Sequence, residues 1–261
     1  MSNNILEVKN LYMNYDTIDG NVAAVQDVSF SIKKGESFGL VGESGCGKTS
    51  VAMSLLKIQA DNGHIDSGQI VIDGTDIVSL SEKELREVRW KQISIVFQGA
   101  MNAWNPVIKI GEQIREALRE HYPENSKEEN YNKMSSLFKL VGLDESILER
   151  YPHELSGGMK QRAIIALALS CDPKVIIADE PTTALDVVIQ DQILNELKKI
   201  QKELGLSVLY ISHDISVIAE MTDNMAVMYA GRIIEKGQTK EIFSNPKHSY
   251  TRLLLESTPS V

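Results

Sequence analysis

The stretch Gly42-Glu43-Ser44-Gly45-Cys46-Gly47-Lys48-Thr49 constrains this chain more than any other. It follows the pattern G-x-x-x-x-G-K-[ST], with an apolar run, Ser37–Val41, before it and a helix-forming run, Thr49–Lys57, after it. A triphosphate demands these residue types. Glycines let the backbone curl so that several N–H groups face inward at phosphate oxygens, where a Cβ would stand in the way. The helix that starts near Gly47 adds the partial positive charge of its N-terminus. Lys48 supplies a point charge for the β- and γ-phosphates, and the Thr49 hydroxyl is a ligand for Mg²⁺. A buried strand running into such a loop, with a helix leaving it, fits an α/β fold.

A second element strengthens the first. Val175-Ile176-Ile177-Ala178-Asp179-Glu180 reads as a buried strand ending in two carboxylates. An Asp at such a strand end holds Mg²⁺, usually through water, and the adjacent Glu polarises an attacking water. Alone, the pair would be an ordinary strand cap; beside the Gly-rich loop it points to hydrolysis of a nucleoside triphosphate.

The rest of the chain alternates sheet and helix signals. Ile5–Tyr15 and Val22–Ile32 read as strands joined by a turn-rich connection, and Gln69–Asp73 as a hairpin arm turning at Asp73-Gly74. Ile93–Phe97, Val175–Ala178 and Val208–Ile211 are apolar on successive residues, as parallel strands covered on both faces are. Ser81 with Glu84 forms a capping box for a helix reaching about Trp90. Ile189, Ile193, Leu197, Ile200 and Leu204 fall on one helical face that ends at Gly205. Between about Gly99 and Glu154 strand signals vanish and charges crowd, especially over Glu124–Glu129. Helices are expected there near Val107–Arg119 and Tyr131–Val141, as a helical insertion in the sheet domain.

Composition narrows the partners. A net charge of −9 argues against a nucleic-acid-coating surface. No apolar run approaches the roughly 18–20 residues that span a bilayer, so a membrane role must come through a partner. Met1–Asn4 carry no basic region and no apolar stretch follows, so no export signal is expected. The two cysteines, Cys46 and Cys171, lack metal-ligand spacing and fit a reducing compartment. Because Cys46 lies inside the loop, alkylating it is expected to block nucleotide binding.

Leu155-Ser156-Gly157-Gly158-Met159-Lys160-Gln161-Arg162, ahead of the acidic strand, resembles the signature motif of ABC transporter ATPases. Other elements of that family follow in order. Gln98 at a strand end resembles the Q-loop, Ala184-Leu185-Asp186 the D-loop, and His213 the switch histidine; Tyr15 lies where an adenine-stacking aromatic sits, with Tyr12 as the alternative. The resemblance extends from Leu6 to about Leu255. Within the family the chain is most similar to the ATPases of oligopeptide, dipeptide and nickel importers, on Phe97–Pro106, Arg150–Glu154 and Asn245–Thr251. Some relatives of this type import oligosaccharides. Met159 replaces the usual Gln of the signature, and the Cys-rich tail thought to hold an iron–sulfur cluster in many peptide-importer ATPases is not found, so no cluster is expected in this chain.

The resemblance implies a P-loop NTPase fold of the ABC type: a mostly parallel core sheet, an antiparallel β subdomain and an inserted helical subdomain. The expected bounds are 1–98 and 155–245 for the core with the β subdomain, 99–154 for the helical subdomain, and a short tail at 246–261. It also implies ATP and Mg²⁺ as ligands. ATP contacts fall to Tyr15, Gly42, Glu43, Ser44, Gly45, Cys46, Gly47, Lys48, Thr49 and Ser50. Metal contacts fall to Thr49, Gln98 and Asp179. Glu180 is the general base, His213 contacts the γ-phosphate, and Gln98 senses the γ-phosphate and metal. Leu155, Ser156, Gly157, Gly158 and Met159 contact ATP held by a second ATPase subunit, self or paralogue, with Asp186 of the D-loop nearby. Implied partners are two integral membrane permease subunits and an extracytoplasmic solute-binding protein, with no nucleic acid, at the cytoplasmic face of the membrane. Met101, Trp104 and Val107 either line a groove for a permease helix or pack internally. The competing readings are a soluble ABC-type ATPase not coupled to transport and a small-molecule kinase, which would lack the signature.

Overall fold

A computed structural model describes residues 3–99, 103–183 and 185–257. The chain forms two compact units: residues 1–85, 177–179 and 207–261 make the first, residues 86–176 and 180–206 the second. The chain begins with β1 (Asn4–Thr17) and β2 (Gly20–Lys33), an antiparallel pair. β3 (Ser37–Val41) follows, buried at all five residues, and runs into the Gly-rich loop; α1 (Lys48–Leu56) leaves it. β4 (Gly63–Ile72) and β5 (Thr75–Asp76) meet across Asp73-Gly74, where the hairpin turn was expected. These strands make an antiparallel sheet in the order β2-β1-β4-β5.

α2 (Glu82–Val88) carries the chain from the first unit into the second. Its capping box is in place: Ser81 N–H donates to Glu84 Oε2 at 2.8 Å, and Ser81 Oγ accepts from Glu84 N–H at 3.5 Å. The helix stops before Trp90, which turns to φ +71° and so cannot continue it. β6 (Ile93–Val96) comes next.

Between residues 103 and 154 no strand occurs among the described residues. α3 (Ile110–His121) begins three residues later than the sequence suggested. The Gln113 side chain accounts for the delay, because it accepts from Asn105 N–H and donates to the Asn105 and Ile108 carbonyls, stabilising a turn over 105–108. α4 (Lys127–Leu140) starts earlier than expected, behind a full capping box of Ser126 and Glu129.

α5 (Gly157–Leu169) leads to β7 (Val175–Asp179), which neighbours β6 and whose Val175 N–H donates to the Gln92 carbonyl at 2.9 Å. α6 (Val187–Leu204) buries Ile193, Leu197 and Ile200 on the expected face, with Leu194 added. Leu204, in the last turn, is instead 48% exposed, and Gly205 ends the helix in the left-handed conformation at φ +63°.

The chain then returns to the first unit as β8 (Ser207–Ser212), α7 (Ile215–Met221), β9 (Asn224–Tyr229), β10 (Arg232–Gln238), α8 (Thr239–Ser244) and α9 (Ser249–Glu256). Strand order in this unit is β10-β9-β3-β8 and then the last three residues of β7. β3 is parallel to both β8 and β9, and β10 is antiparallel to β9. β3, β7 and β8 are buried at every residue, as parallel strands covered on both faces must be. The class is the mixed α/β arrangement expected.

Candidate nucleotide site

In the first unit, β3 and β8 run in parallel with Val41 opposite Ser212, so the Gly-rich loop and His213 leave neighbouring strand ends. His213 is exposed there. Asp179 closes β7, the next strand over, and is 1% exposed. Ligands of open α/β sheets bind at such carboxyl ends.

The loop packs tightly on its inner side and is exposed at Glu43, Ser44 and Gly45. A Cβ on Gly42 would come within 2.2 Å of the Met228 carbonyl oxygen, and one on Gly47 within 2.3 Å of that of Ala24. Gly47 caps α1 at φ 104° with no side-chain hydrogen bond. The Lys48 ammonium is folded into the loop, donating to the Gly42 and Glu43 carbonyls at 2.6 and 2.9 Å, and is 5% exposed. Thr49 and its hydroxyl-bearing neighbour Ser50 follow in the first turn of α1. Cys46 is 7% exposed; burial pushes its thiol above the usual range, with Lys48 opposing. Alkylation of the native loop should therefore be slow, because the reactive thiolate is scarce and shielded.

Tyr15 is half-buried on β1, its hydroxyl 3.3 Å from Ser50 Oγ. Of the two tyrosines weighed as adenine platforms, Tyr15 is the one bonded to the helix that leaves the loop. Tyr12 lies opposite Ser67 on β4 and is 38% exposed.

In the second unit, Glu180 directly follows Asp179 and takes φ +48°, a left-handed conformation uncommon for a non-glycine residue. Two hydrogen bonds hold its carboxylate: Gln98 Nε2 donates to Oε2 at 2.7 Å and Thr183 Oγ1 at 2.9 Å. Gln98, just past β6, is thus brought onto a residue 82 positions away. Ser156 caps α5, its Oγ accepting from Met159 N–H at 3.3 Å. Ser156 and Gly157 are exposed at that helix start, Leu155 is buried, and a Cβ on Gly158 would meet Ile189 Cγ2 at 3.0 Å. A helix N-terminus of this kind can take an anion. Asp186 caps α6 by accepting from Ile189 N–H at 3.0 Å; Ala184 of the same motif lies outside the described residues.

Trp104 does not line a groove. It is 6% exposed and its Nε1–H donates to the Lys160 carbonyl at 3.3 Å, so it packs against α5. Val107 is 78% exposed, and Met101 lies outside the described residues. Sequence reasoning also left two residues without a role. Thr183 stands three residues after Glu180 and gives no motif signal of its own. Tyr250, inside the Asn245–Thr251 stretch, accepts a hydrogen bond from Glu43 N–H at 3.3 Å.

Comparison with known proteins follows the same lines. A family model described as ABC transporter matches residues 25–183, and one described as the C-terminal region of oligopeptide/dipeptide transporters matches residues 234–261. The chain is 46% identical to the oligopeptide transport ATP-binding protein OppD of Bacillus subtilis, over 98% of this chain and 72% of that protein. It is 43% identical to the dipeptide transport ATP-binding protein DppD of Lactococcus lactis, over 98% and 74%. Among solved structures, a dimeric post-hydrolysis state of the ATP-binding cassette MJ0796, bound to ADP and phosphate, superposes with a TM-score of 0.79 at 29% identity, covering 90% of this chain and 98% of that one.

Proposed function

The chain belongs to the ABC transporter family, and from that premise we propose that it is the ATP-binding and ATP-hydrolysing subunit of an importer for oligopeptides or dipeptides. One observation carries the hydrolytic part. Glu180, one residue beyond the buried Asp179, takes a strained backbone conformation, and its carboxylate is held by Gln98 and Thr183. Strain of this kind, about 1–3 kcal/mol, persists where surrounding structure enforces it, often at functional sites. A carboxylate so held is poised to take a proton from an attacking water.

The other roles follow the residues already placed. Backbone N–H groups of Gly42–Gly47, the N-terminus of α1 and Lys48 hold the phosphates, Tyr15 stacks on the base, and His213 contacts the γ-phosphate. The Thr49 hydroxyl and the Asp179 carboxylate are hard oxygen donors, a set that fits Mg²⁺, with Gln98 beside them in role. Bound Mg²⁺ supplies neutralisation of phosphate charge. Leu155–Met159 and Asp186 serve a second ATPase subunit, a copy or a paralogue, whose ATP they complete. That this chain bears one loop and one signature supports such pairing, as does the likeness to a dimeric cassette. The remaining partners are two integral membrane permease subunits, docked on the helical segment 99–154, and a solute-binding protein. Attachment to those permease subunits would place the chain peripherally at the cytoplasmic face; no helix among its described residues is long and apolar enough to cross a membrane.

Glu180→Gln tests the reading. The amide oxygen keeps the bonds from Gln98 and Thr183, so only the base is removed. Hydrolysis should fall by about 10²-fold or more while MgATP binding persists and an ATP-bound dimer accumulates on size exclusion. Near-normal turnover would remove Glu180 from its role. Co-isolation with integral membrane subunits separates an importer from a free-standing ATPase.

A further inference from the structure

The stretch Asn245–Thr251 has no part in the chemistry assigned so far, yet it reaches the phosphate loop. Tyr250 sits in the first turn of α9 with its ring against Tyr229, centroids 4.6 Å apart and planes at 49°. Its hydroxyl accepts from Glu43 N–H. The approach to α9 is secured by Glu235 on β10, which accepts from Lys247 and His248 N–H at 2.8 and 3.0 Å, and by Arg252 Nε, which donates to the Pro246 carbonyl at 3.0 Å. Just beyond Tyr229, Ala230 and Gly231 both turn to positive φ, and Gly231 N–H donates to the Cys46 carbonyl at 3.0 Å. The loop is therefore braced near its start at Glu43 and near its end at Cys46.

The first brace acts on one rigid body. Glu43 N–H and the Gly42 carbonyl belong to the same planar peptide unit. Tyr250 holds the N–H end while Lys48 bonds the carbonyl end at 2.6 Å. Rotation of that peptide would carry away the acceptor on which the Lys48 ammonium rests.

We propose that Tyr250 is a positioning residue of the nucleotide site: through the Gly42–Glu43 peptide its hydroxyl sets the loop that receives the phosphates, so the C-terminal helix governs nucleotide affinity. The inference rests on the ATP-binding role proposed above. A preformed loop loses less conformational freedom on binding, which is where the affinity comes from.

Tyr250→Phe removes the acceptor and keeps the ring against Tyr229. In the full chain, the Kd for MgADP and for a nonhydrolysable MgATP analogue should rise roughly two- to tenfold, the range that one neutral hydrogen bond sets. Amide exchange at Glu43 should accelerate, with the thermal midpoint unchanged and KM for ATP raised at constant kcat. Wild-type affinity together with wild-type exchange at Glu43 would overturn the proposal. So would a lowered thermal midpoint that accounts for the whole effect, since the tyrosine would then be merely structural. Failure of the wild-type chain to bind either nucleotide would instead overturn the ATP-binding reading itself.

Discussion

A single methyl group, added at either of two glycines of the phosphate loop, separates the cost of backbone conformation from the cost of packing. Gly45 and Gly47 both have positive φ, +81° and +104°. A Cβ on Gly45 meets nothing within 4 Å, whereas one on Gly47 lies 2.3 Å from the Ala24 carbonyl oxygen and 2.9 Å from Met228 Cε. The methionine methyl can swing aside. The carbonyl cannot, because β2 is tied into the sheet by its pairing with β1, Ala23 opposite Asn14 and Val25 opposite Met13. Gly45→Ala should cost only the left-handed conformation of an L-residue, about 1–2 kcal/mol. Gly47→Ala bears that and an overpacking term of about 1–3 kcal/mol as well. Urea unfolding of the nucleotide-free protein, followed by circular dichroism, should show the lower midpoint for Gly47→Ala by at least about 1 kcal/mol, which is several tenths molar at ordinary m values. Equal midpoints, or Gly45→Ala as the weaker variant, would refute the claim that the β2 backbone sets the floor of the loop.

Ser156→Ala removes the N-cap of α5 and should destabilise the chain by about 1 kcal/mol in denaturant while leaving nucleotide affinity unchanged; weakened binding by the isolated subunit would contradict the assignment of Ser156 to a partner's ATP. Cys46 should alkylate slowly in the folded chain at neutral pH and quickly in urea, followed by mass spectrometry. Because burial lifts its thiol above the ordinary 9.0, the native rate should reach its half-maximum at a higher pH than a free thiol does; rapid modification at neutral pH would show the loop to be more open than this.

What could be read in advance was whatever leaves a local or periodic mark. β3 is five buried residues between a turn and a glycine loop, and its bounds were legible to the residue. Gly205 ends α6 as its position after an amphipathic run required. The start of α4 was hidden in the charge run Glu124–Glu129, where the Ser126–Glu129 capping box looked like surface charge. β9, β10, α8 and α9 went unassigned, although one stretch among them, Asn245–Thr251, stood out by resemblance. The left-handed turn at Glu180 had no signal either, since positive φ is read from glycine or asparagine, and here it falls on a glutamate whose carboxylate Gln98 and Thr183 hold.

Two of the features that left no mark, the Gln98–Glu180 contact and the Tyr250 brace, share a cause. Each depends on a partner distant in sequence: 82 residues between Gln98 and Glu180, 207 between Glu43 and Tyr250. A loop motif announces the groups that touch phosphate because they are contiguous. The groups that hold the loop still are not, and only the strand order brings them in, with β9 laid along β3 so that its end and the hairpin after it meet the loop β3 delivers. The chemistry of such a site is thus written locally, while its stiffness is a property of the topology. The substitutions most apt to alter affinity without touching chemistry therefore fall on the last hairpin and α9 rather than within Gly42–Thr49.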